Sequence, residues 1–407
     1  MSGPLSHIRV LDLSRVLAGP WCGQNLADLG AEVIKVERPK TGDDSRAYGP
    51  PWMKDASGKE TSEAAYFMAA NRGKKSITVN LNHPDGQKLV RDLAAKCDVL
   101  IENYKFGDLD RYGLGYKDLS KTNPGLVYCS VTGFGQTGPY REKPGYDFMA
   151  QGMAGLMSIT GDPEGMPGGG PMRVGVPVID IFTGMYATIA INAALAHRAV
   201  TGKGQHLDVA LLDSCMALLA NQGMTYLATG ESPKRIGNTH PTIVPYQVFP
   251  TKDGAIILAC GNDNLFTKFC AVAKREDLVA DERFAKNAVR VKHRTTLVPS
   301  LGEVFKQRST DEWVEALEGA GVPCGPINTV AQAFADPQVQ ARGMQIKLPH
   351  PLAGEVPLMG SPMKFSATPI THELPPPVLG QHEEEILEKM LGLGAEARAK
   401  LRAAGAI

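Results

Sequence analysis

The sequence predicts an α/β protein built on a mostly parallel sheet, joined to a smaller α+β domain, and three observations carry that expectation. Short β-branched runs alternate with helical periodicities from Ile8 to Leu211, which is the pattern of strands buried on both faces by crossover helices. A chain of 407 residues exceeds one ordinary hydrophobic core. The composition changes at 230–245, and beyond it two strands and a run of helices form a separate block.

The elements follow in order. Residues 8–13 (IRVLDL) read as a strand, 14–19 as a loop, and Pro20 suits the first turn of a helix that stops near Gly30. Residues 32–37 (EVIKVE) form the second strand, so the first forty residues are a βαβ unit. A helix over 85–96 and strands at 99–101 and 126–131 continue the alternation. After the Gly/Pro-rich stretch 161–177, a long helix opens at about Asp180 and stops at Gly202-Lys203-Gly204. A strand at 206–211 and a helix over 212–228 complete this part. Strands at 246–250 and 255–260 and helices to about Gly319 make the smaller block. The tail, with a strand at 345–348 and an amphipathic helix at 383–390, is too short to fold alone and is expected to return to the first domain. The expected division is therefore 1–200 as the first part of the large domain, 201–224 as a linker, 225–330 as the small α+β domain, and 331–407 as a linker plus the C-terminal part of the large domain.

Charge and composition restrict function. Lys and Arg (43) balance Asp and Glu (43), so the surplus of positive charge that nucleic-acid binding requires is missing. The N-terminus has no basic-then-apolar signal pattern, and the apolar stretch 181–199 is broken by Thr, Tyr, Asn and His, so a buried helix is expected rather than a membrane span. Seven cysteines, none in CxxC spacing, argue against a disulfide framework or a zinc site and for a reducing, cytoplasmic setting with no metal.

Several motifs invite a functional reading. Gly133-Phe134-Gly135-Gln136-Thr137-Gly138 is a literal GxGxxG, but a dinucleotide fingerprint needs a helix at its third glycine, and Pro139 to Pro144 does not supply one. A glycine loop at the carboxyl end of the sheet is the plainer interpretation. Arg38, the run Asn71-Arg72-Gly73-Lys74-Lys75 and Arg111 are cationic points near successive strand ends; each is either a solvated surface charge or part of a site for a 3′-phosphate and a pyrophosphate. Asp180 is either a helix N-cap or a carboxylate partly desolvated by the apolar segment 174–179. No GxSxG occurs and no histidine lies between His83 and His197, so a Ser-His-Asp hydrolase lacks support. Met149, Met153 and Met157, four residues apart, read as core packing.

Taken together, the segments 10–20 (VLDLSRVLAGP), 29–39 (LGAEVIKVERP), 71–76 (NRGKKS), 102–107 (ENYKFG), 144–147 (PGYD), Asp180 with its helix ending at 201–205 (TGKGQ), 237–241 (GNTHP) and 322–326 (VPCGP) resemble the class III CoA-transferases, the formyl-CoA and carnitine CoA-transferase family. The resemblance runs over nearly the whole chain. It implies a Rossmann-like large domain, a small domain, and a homodimer of two chains interlocked like rings. By position it implies CoA contacts at Leu17, Ala18, Arg38, Asn71, Arg72, Gly73, Lys74, Asn103, Tyr104, Lys105, Arg111, Pro144, Gly145, Tyr146 and Asp147, a nucleophile at Asp180, and an active-site loop at Gly237 and Asn238. It also implies acyl-CoA and free carboxylic acids as substrates, with no permanently bound cofactor. The loop 42–51 (GDDSRAYGPP) resembles that of succinyl-CoA:glutarate CoA-transferases. Within it, Arg46 is the candidate partner for the distal carboxylate of a four- to six-carbon diacid, the alternative being that it pairs with Asp43 or Asp44. Two other functions compete: 2-methylacyl-CoA epimerisation, for which relatives pair the aspartate with a histidine where this chain has Tyr146, and acyl-CoA binding without chemistry.

Overall fold

In the computed structural model, which describes residues 3–407, the apolar runs assemble as six strands in parallel register. These are β1 (Arg9–Asp12), β2 (Glu32–Glu37), β3 (Lys74–Thr78), β4 (Val99–Glu102), β5 (Val127–Thr132) and β6 (His206–Ala210), in the order β3-β2-β1-β4-β5-β6. The direction of progression reverses between β1 and β4. Connections there leave to opposite faces, and a crevice opens above the carboxyl ends of those strands.

Both faces of the sheet are covered. Helix α1 (Ala18–Asp28) packs with Val10, Val33, Val99 and Val127 on one face, whereas α2 (Pro84–Ala94) packs with Leu11, Leu13, Ile34 and Leu100 on the other. Downstream come α3 (Asp147–Met153), α4 (Val178–Thr201), α5 (Leu211–Leu218), α6 (Ala220–Thr229) and, in the tail, α7 (Glu383–Leu391). Helix α4 buries Ile179, Thr183, Ala187, Ile191 and Ala194 at three- and four-residue spacing, the stripe of a helix with one face in a core. Ile386, Leu387 and Met390 of α7 join the α2 face, so the tail completes the core of the sheet domain.

The chain divides into two compact units. The first comprises the chain to Leu156, Arg173–Gly230 and Pro337–Ile407; the second comprises Met157–Met172 and Glu231–Asp336. The second unit holds an antiparallel sheet of β7 (Tyr246–Pro250), β8 (Ala255–Ala259) and β9 (Cys324–Pro326), in the order β9-β8-β7. Its core stacks Phe249, Phe269, Phe305 and Trp313.

Four expectations need correction. Residues 201–224, expected as a linker, supply β6 and α5, because the apolar alternation of His206–Ala210 continues the sheet beyond β5. The single helix over 212–228 is two, separated at Leu219 where Ala220 takes a positive φ of 41°. Strand β3 begins at Lys74, the first of the lysine pair 74–75, where a solvated surface charge or a phosphate contact was expected. Met149 and Met153 are 43% and 49% exposed, so they are not core residues of this chain. They lie with the exposed Phe148 on α3; Met185, Tyr186 and Ile189 of α4 and Met224, Tyr226 and Leu227 of α6 are exposed as well. Among the described residues α4 alone is long and apolar enough to cross a membrane, and its buried stripe lies against α1 and the sheet core.

Candidate active site

A cavity of about 560 Å³ opens where the strands end, lined by residues following β1, β2, β4, β5 and β6 together with Asp180. Its position is the one an open parallel sheet prepares for ligands.

The first wall is the loop between β1 and α1. Asn103, just past β4, clamps it in both directions, accepting from the Arg15 amide at 2.9 Å and donating to the Arg15 carbonyl at 2.7 Å. The next residue, Val16, holds a left-handed φ of 71°, a conformation costly for a β-branched side chain. What pays for it is Asp43, whose carboxylate accepts from the Val16 amide at 3.0 and 3.3 Å. Asp43 is itself fixed by Lys35 at 2.7 Å, and both side chains are fully buried. Lys35 also donates to the Ser14 carbonyl at 2.9 Å. Burial works to raise the Asp43 pKa, yet the Lys35 charge and the bonds from Lys35, Ser45 and Val16 outweigh it, and the carboxyl stays well below its ordinary range. A buried ion pair thus aims Leu17 and the amide-rich start of α1 at the cavity, a setting that favours anions.

The second wall carries Asp180. It sits in the first turn of α4, behind the boundary residue Pro177, and so is not the N-cap. Capping comes from Asp147 instead, whose carboxylate accepts from the Ile179 amide at 2.7 Å and the Asp180 amide at 3.3 Å while Gln151 holds its other oxygen at 2.6 Å. Burial first, and the Asp147 charge second, push the Asp180 carboxyl up to about 7. Gly184 lets α4 approach α1: a Cβ there would meet the Ala18 carbonyl oxygen at 2.6 Å. The two walls are therefore locked together one helical turn behind Asp180.

Glycines of the GxGxxG run also have a structural task. A Cβ on Gly133 would lie 2.5 Å from the Cα of Gly145, so the loop after β5 and the segment 144–146 touch backbone to backbone at the cavity edge. Gly135 and Gly138 take positive φ values of 86° and 82° in the turn that follows.

Of the residues singled out from sequence, Leu17, Ala18, Arg38, Asn103, Tyr104, Lys105, Pro144, Gly145, Tyr146 and Asp180 all line this cavity. Others do not. Lys74 is fully buried with its ammonium on Asp12 (2.9 Å), the Pro20 carbonyl (2.8 Å) and Asn71 (3.0 Å), because β3 places it inward. Asn71 donates to the Phe67 carbonyl, Arg72 is paired with Asp28, and Gly73 takes a φ of 76° to start the strand. Arg111 is exposed and paired with Asp108. Asp147 is the cap just described. Gly237 and Asn238 belong to the second unit, where the Gly237 amide donates to the Gly161 carbonyl at 3.2 Å.

Arg46 is the largest correction. Its guanidinium makes a two-bond pair with Glu37 at 2.7 and 2.8 Å, donates to the Pro377 carbonyl at 2.9 Å, lies 3.5 Å from Glu63, and stacks on Phe67. It is absent from the cavity wall, and its donors are committed to neither Asp43 nor Asp44 but to Glu37. The structure instead brings in Arg15, Tyr48 and Lys143, which were not singled out from sequence, together with Arg141, a weaker sequence candidate for the same carboxylate; Arg173, the other weaker candidate, does not line the cavity. Tyr48 packs edge-on against Tyr66 at 5.3 Å. Burial first and the Asp180 charge second push the Tyr66 phenol up to about 12. Arg15 was within reach of sequence reasoning, since it adjoins Leu17 and Ala18 in the first βα loop. Among the described residues no group of three or more His, Cys, Asp or Glu is placed to hold a metal ion.

Comparison with known proteins agrees with this geometry. Residues 5–383 match the family described as CoA-transferase family III. A succinate–glutarate CoA-transferase of Agrobacterium fabrum is 50% identical over 95% of this chain and 96% of its own length. The succinyl-CoA:glutarate CoA-transferase of Homo sapiens is 43% identical over 99% of this chain and 90% of its own. Among solved structures, a CAIB/BAIF family protein from Brucella suis superposes with a TM-score of 0.83 at 50% identity, covering 96% of this chain and all of that one. A family match across most of the chain, with relatives at this identity over nine-tenths or more of their own length, shows that the protein is an enzyme of CoA-transferase family III.

Proposed function

We propose that this enzyme moves CoA from succinyl-CoA to a free dicarboxylic acid of four to six carbons, glutarate foremost, with Asp180 as nucleophile. The observation that carries the reading is the Asp180 carboxyl, desolvated, backed by Asp147 and opening into a cavity whose rim bears Arg38, Lys105, Arg141 and Lys143. Those rim cations suit the phosphates of CoA, and the start of α1 suits its pyrophosphate or a developing oxyanion.

The sequence of bonds is as follows. The Asp180 carboxylate attacks the thioester carbonyl and expels CoA thiolate, leaving a succinyl–aspartyl anhydride. Thiolate then attacks the Asp180 carbonyl, giving an aspartyl-CoA thioester and releasing succinate. Glutarate attacks that thioester, which forms a glutaryl–aspartyl anhydride and frees the thiolate again. Attack of the thiolate on the glutaryl carbonyl yields glutaryl-CoA and restores Asp180. Thioester energy is conserved in every step, and the protein contributes positioning, N–H donors and exclusion of water.

Incubation with succinyl-CoA and a pool of mono- and dicarboxylic acids, analysed by mass spectrometry, should give glutaryl-CoA or a near homologue as the dominant new thioester. Recovery of unchanged succinyl-CoA would reject the reading and favour a CoA-binding protein, and simple hydrolysis without a new thioester would reject both.

The same reading includes a homodimer of interlocked chains. Large apolar side chains on α3, α4 and α6 stand half-exposed, and burial against a second copy would remove them from water. Linked chains separate only on unfolding, so sedimentation of the folded protein should show dimer at every dilution. A folded monomer at any concentration would reject it. Seven free thiols support a reducing, cytoplasmic compartment.

A further inference from the structure

Resting on the dicarboxylate reading above, we propose that Arg15 receives the distal carboxylate of the transferred diacid and thereby sets the enzyme's preference for diacids over monoacids.

A carboxylate carried into a closed site needs a cationic partner, and arginine's planar fork is the side chain best matched to it. Arg46 is already consumed by Glu37, so the partner must come from the cavity wall. Among the arginines there, Arg15 is the least exposed: its side chain is 31% accessible, against 46% for Arg38 and 47% for Arg141. The exposed cations at the rim suit the solvated phosphates of CoA, whereas a recessed one suits the acyl end.

Charge accounting leaves Arg15 available. Among the described residues its one ionic partner is Asp44 at 3.2 Å, and Asp44 also carries Arg38, so one carboxylate serves two guanidinium groups and a positive charge remains over. The neighbouring Asp43 is committed to Lys35. In addition, the Arg15 Nε–H is buried without an acceptor, a state that native proteins seldom leave uncorrected. The guanidinium lies over the Tyr104 ring at 4.9 Å, which fixes its plane without using its N–H donors.

Position ties Arg15 to the nucleophile. Tyr48 is close enough to Arg15 to feel its charge, Tyr48 packs on Tyr66, and Tyr66 in turn feels Asp180. The clamp of Asn103 on the Arg15 backbone holds the residue in register with that wall. Arg15 and Asp180 line the same cavity, with Tyr48 on its wall, so an acyl chain attached to Asp180 shares that space with the Arg15 guanidinium.

The test compares acceptors in the second half-reaction, with succinyl-CoA saturating, so that kcat/KM for the acid reports only its own capture. Arg15→Met keeps a stem over Tyr104, and Arg15→Lys restores charge without the fork; both are assayed with glutarate and with pentanoate, its monoacid of equal length. The ratio of kcat/KM for glutarate to that for pentanoate should fall by about 30-fold in Arg15→Met and by less in Arg15→Lys. Free CoA should inhibit both variants with the wild-type constant, which also certifies a folded site. Equal losses for both acids, or weakened inhibition by CoA in step with the loss, would overturn the assignment and give Arg15 a structural or phosphate-binding role. A wild-type enzyme that itself shows no preference for glutarate over pentanoate would instead reject the diacid reading, and the role of Arg15 with it; that outcome is recognised before any variant is made.

Discussion

Replacing Asp180 by asparagine is expected to lower kcat by roughly four orders of magnitude while making the protein more stable at neutral and alkaline pH. The amide oxygen is a poor nucleophile and cannot form the anhydride. Asparagine is nearly isosteric, and the cap from Asp147 bonds to backbone amides, so the start of α4 should be unchanged. The gain in stability follows from linkage. Asp180 titrates near 7 in the fold, above the ordinary carboxyl value, so the folded state binds the extra proton between those two pH values. Stability contributed by this group therefore falls as pH rises from about 4 to about 7, and the full penalty persists above that range. The neutral variant escapes it. Partial contact with solvent reduces the effect, and a gain on the order of 1–3 kcal/mol at pH 8, vanishing near pH 4, is expected in urea denaturation. In the wild type, kcat/KM should climb with pH and level off above about 7, as the free carboxylate becomes available. An asparagine variant that turns over near the wild-type rate would sink the nucleophile assignment. A variant that is less stable at pH 8 than the wild type would sink the desolvation argument.

The same two aspartates show what could and could not be read from the sequence. Strands β1, β2, β4 and β5 were legible because each is an apolar run bounded by turn residues, and such runs do not depend on distant partners. Strand β3 was not, because Lys74 and Lys75 open it, and what makes a lysine tolerable inside a sheet domain is a carboxylate elsewhere: Asp12 for Lys74, Glu32 for Lys75. Those partners are set by the register of three parallel strands, which no local window contains. Asp180 was legible as a carboxylate with an apolar approach, but its cap, Asp147, lies 33 residues upstream. Arg46 was misplaced for a related reason. The loop containing it was correctly expected near the cleft, yet strand β2 ends with Glu37, and a buried carboxylate there captures the guanidinium first. Position near a site was visible in sequence; the competition among buried charges was not.

That competition makes Asp43→Ala the most damaging single change predicted outside the nucleophile. Removal of one member of a buried ion pair leaves the other uncompensated, at a cost of about 3–5 kcal/mol. Lys35, fully buried, would retain only the Ser14 carbonyl and the more distant charges of Asp12 and Glu37. The Val16 amide would lose both of its contacts with the carboxylate, and with them the compensation for its φ of 71°. Relaxation of Val16 would swing Leu17 and the start of α1 away from Asp180, so the fraction still folded should also lose kcat/KM. Asp43→Asn keeps an oxygen for the amides of Val16 and Ser45 and should cost less in both respects. The pH dependence has a definite sign. Because Asp43 is held below the ordinary carboxyl range, its stabilisation is complete above about pH 4 and disappears as pH falls further. The deficit of the alanine variant, measured by urea denaturation, should therefore be largest at pH 6–7 and begin to shrink toward pH 3, where the unfolded wild-type chain takes up a proton on Asp43 that the folded state does not. A deficit below about 1 kcal/mol at neutral pH, or one that does not change down to pH 3, would show that the Lys35–Asp43 pair neither supports the fold nor holds the loop that carries the site.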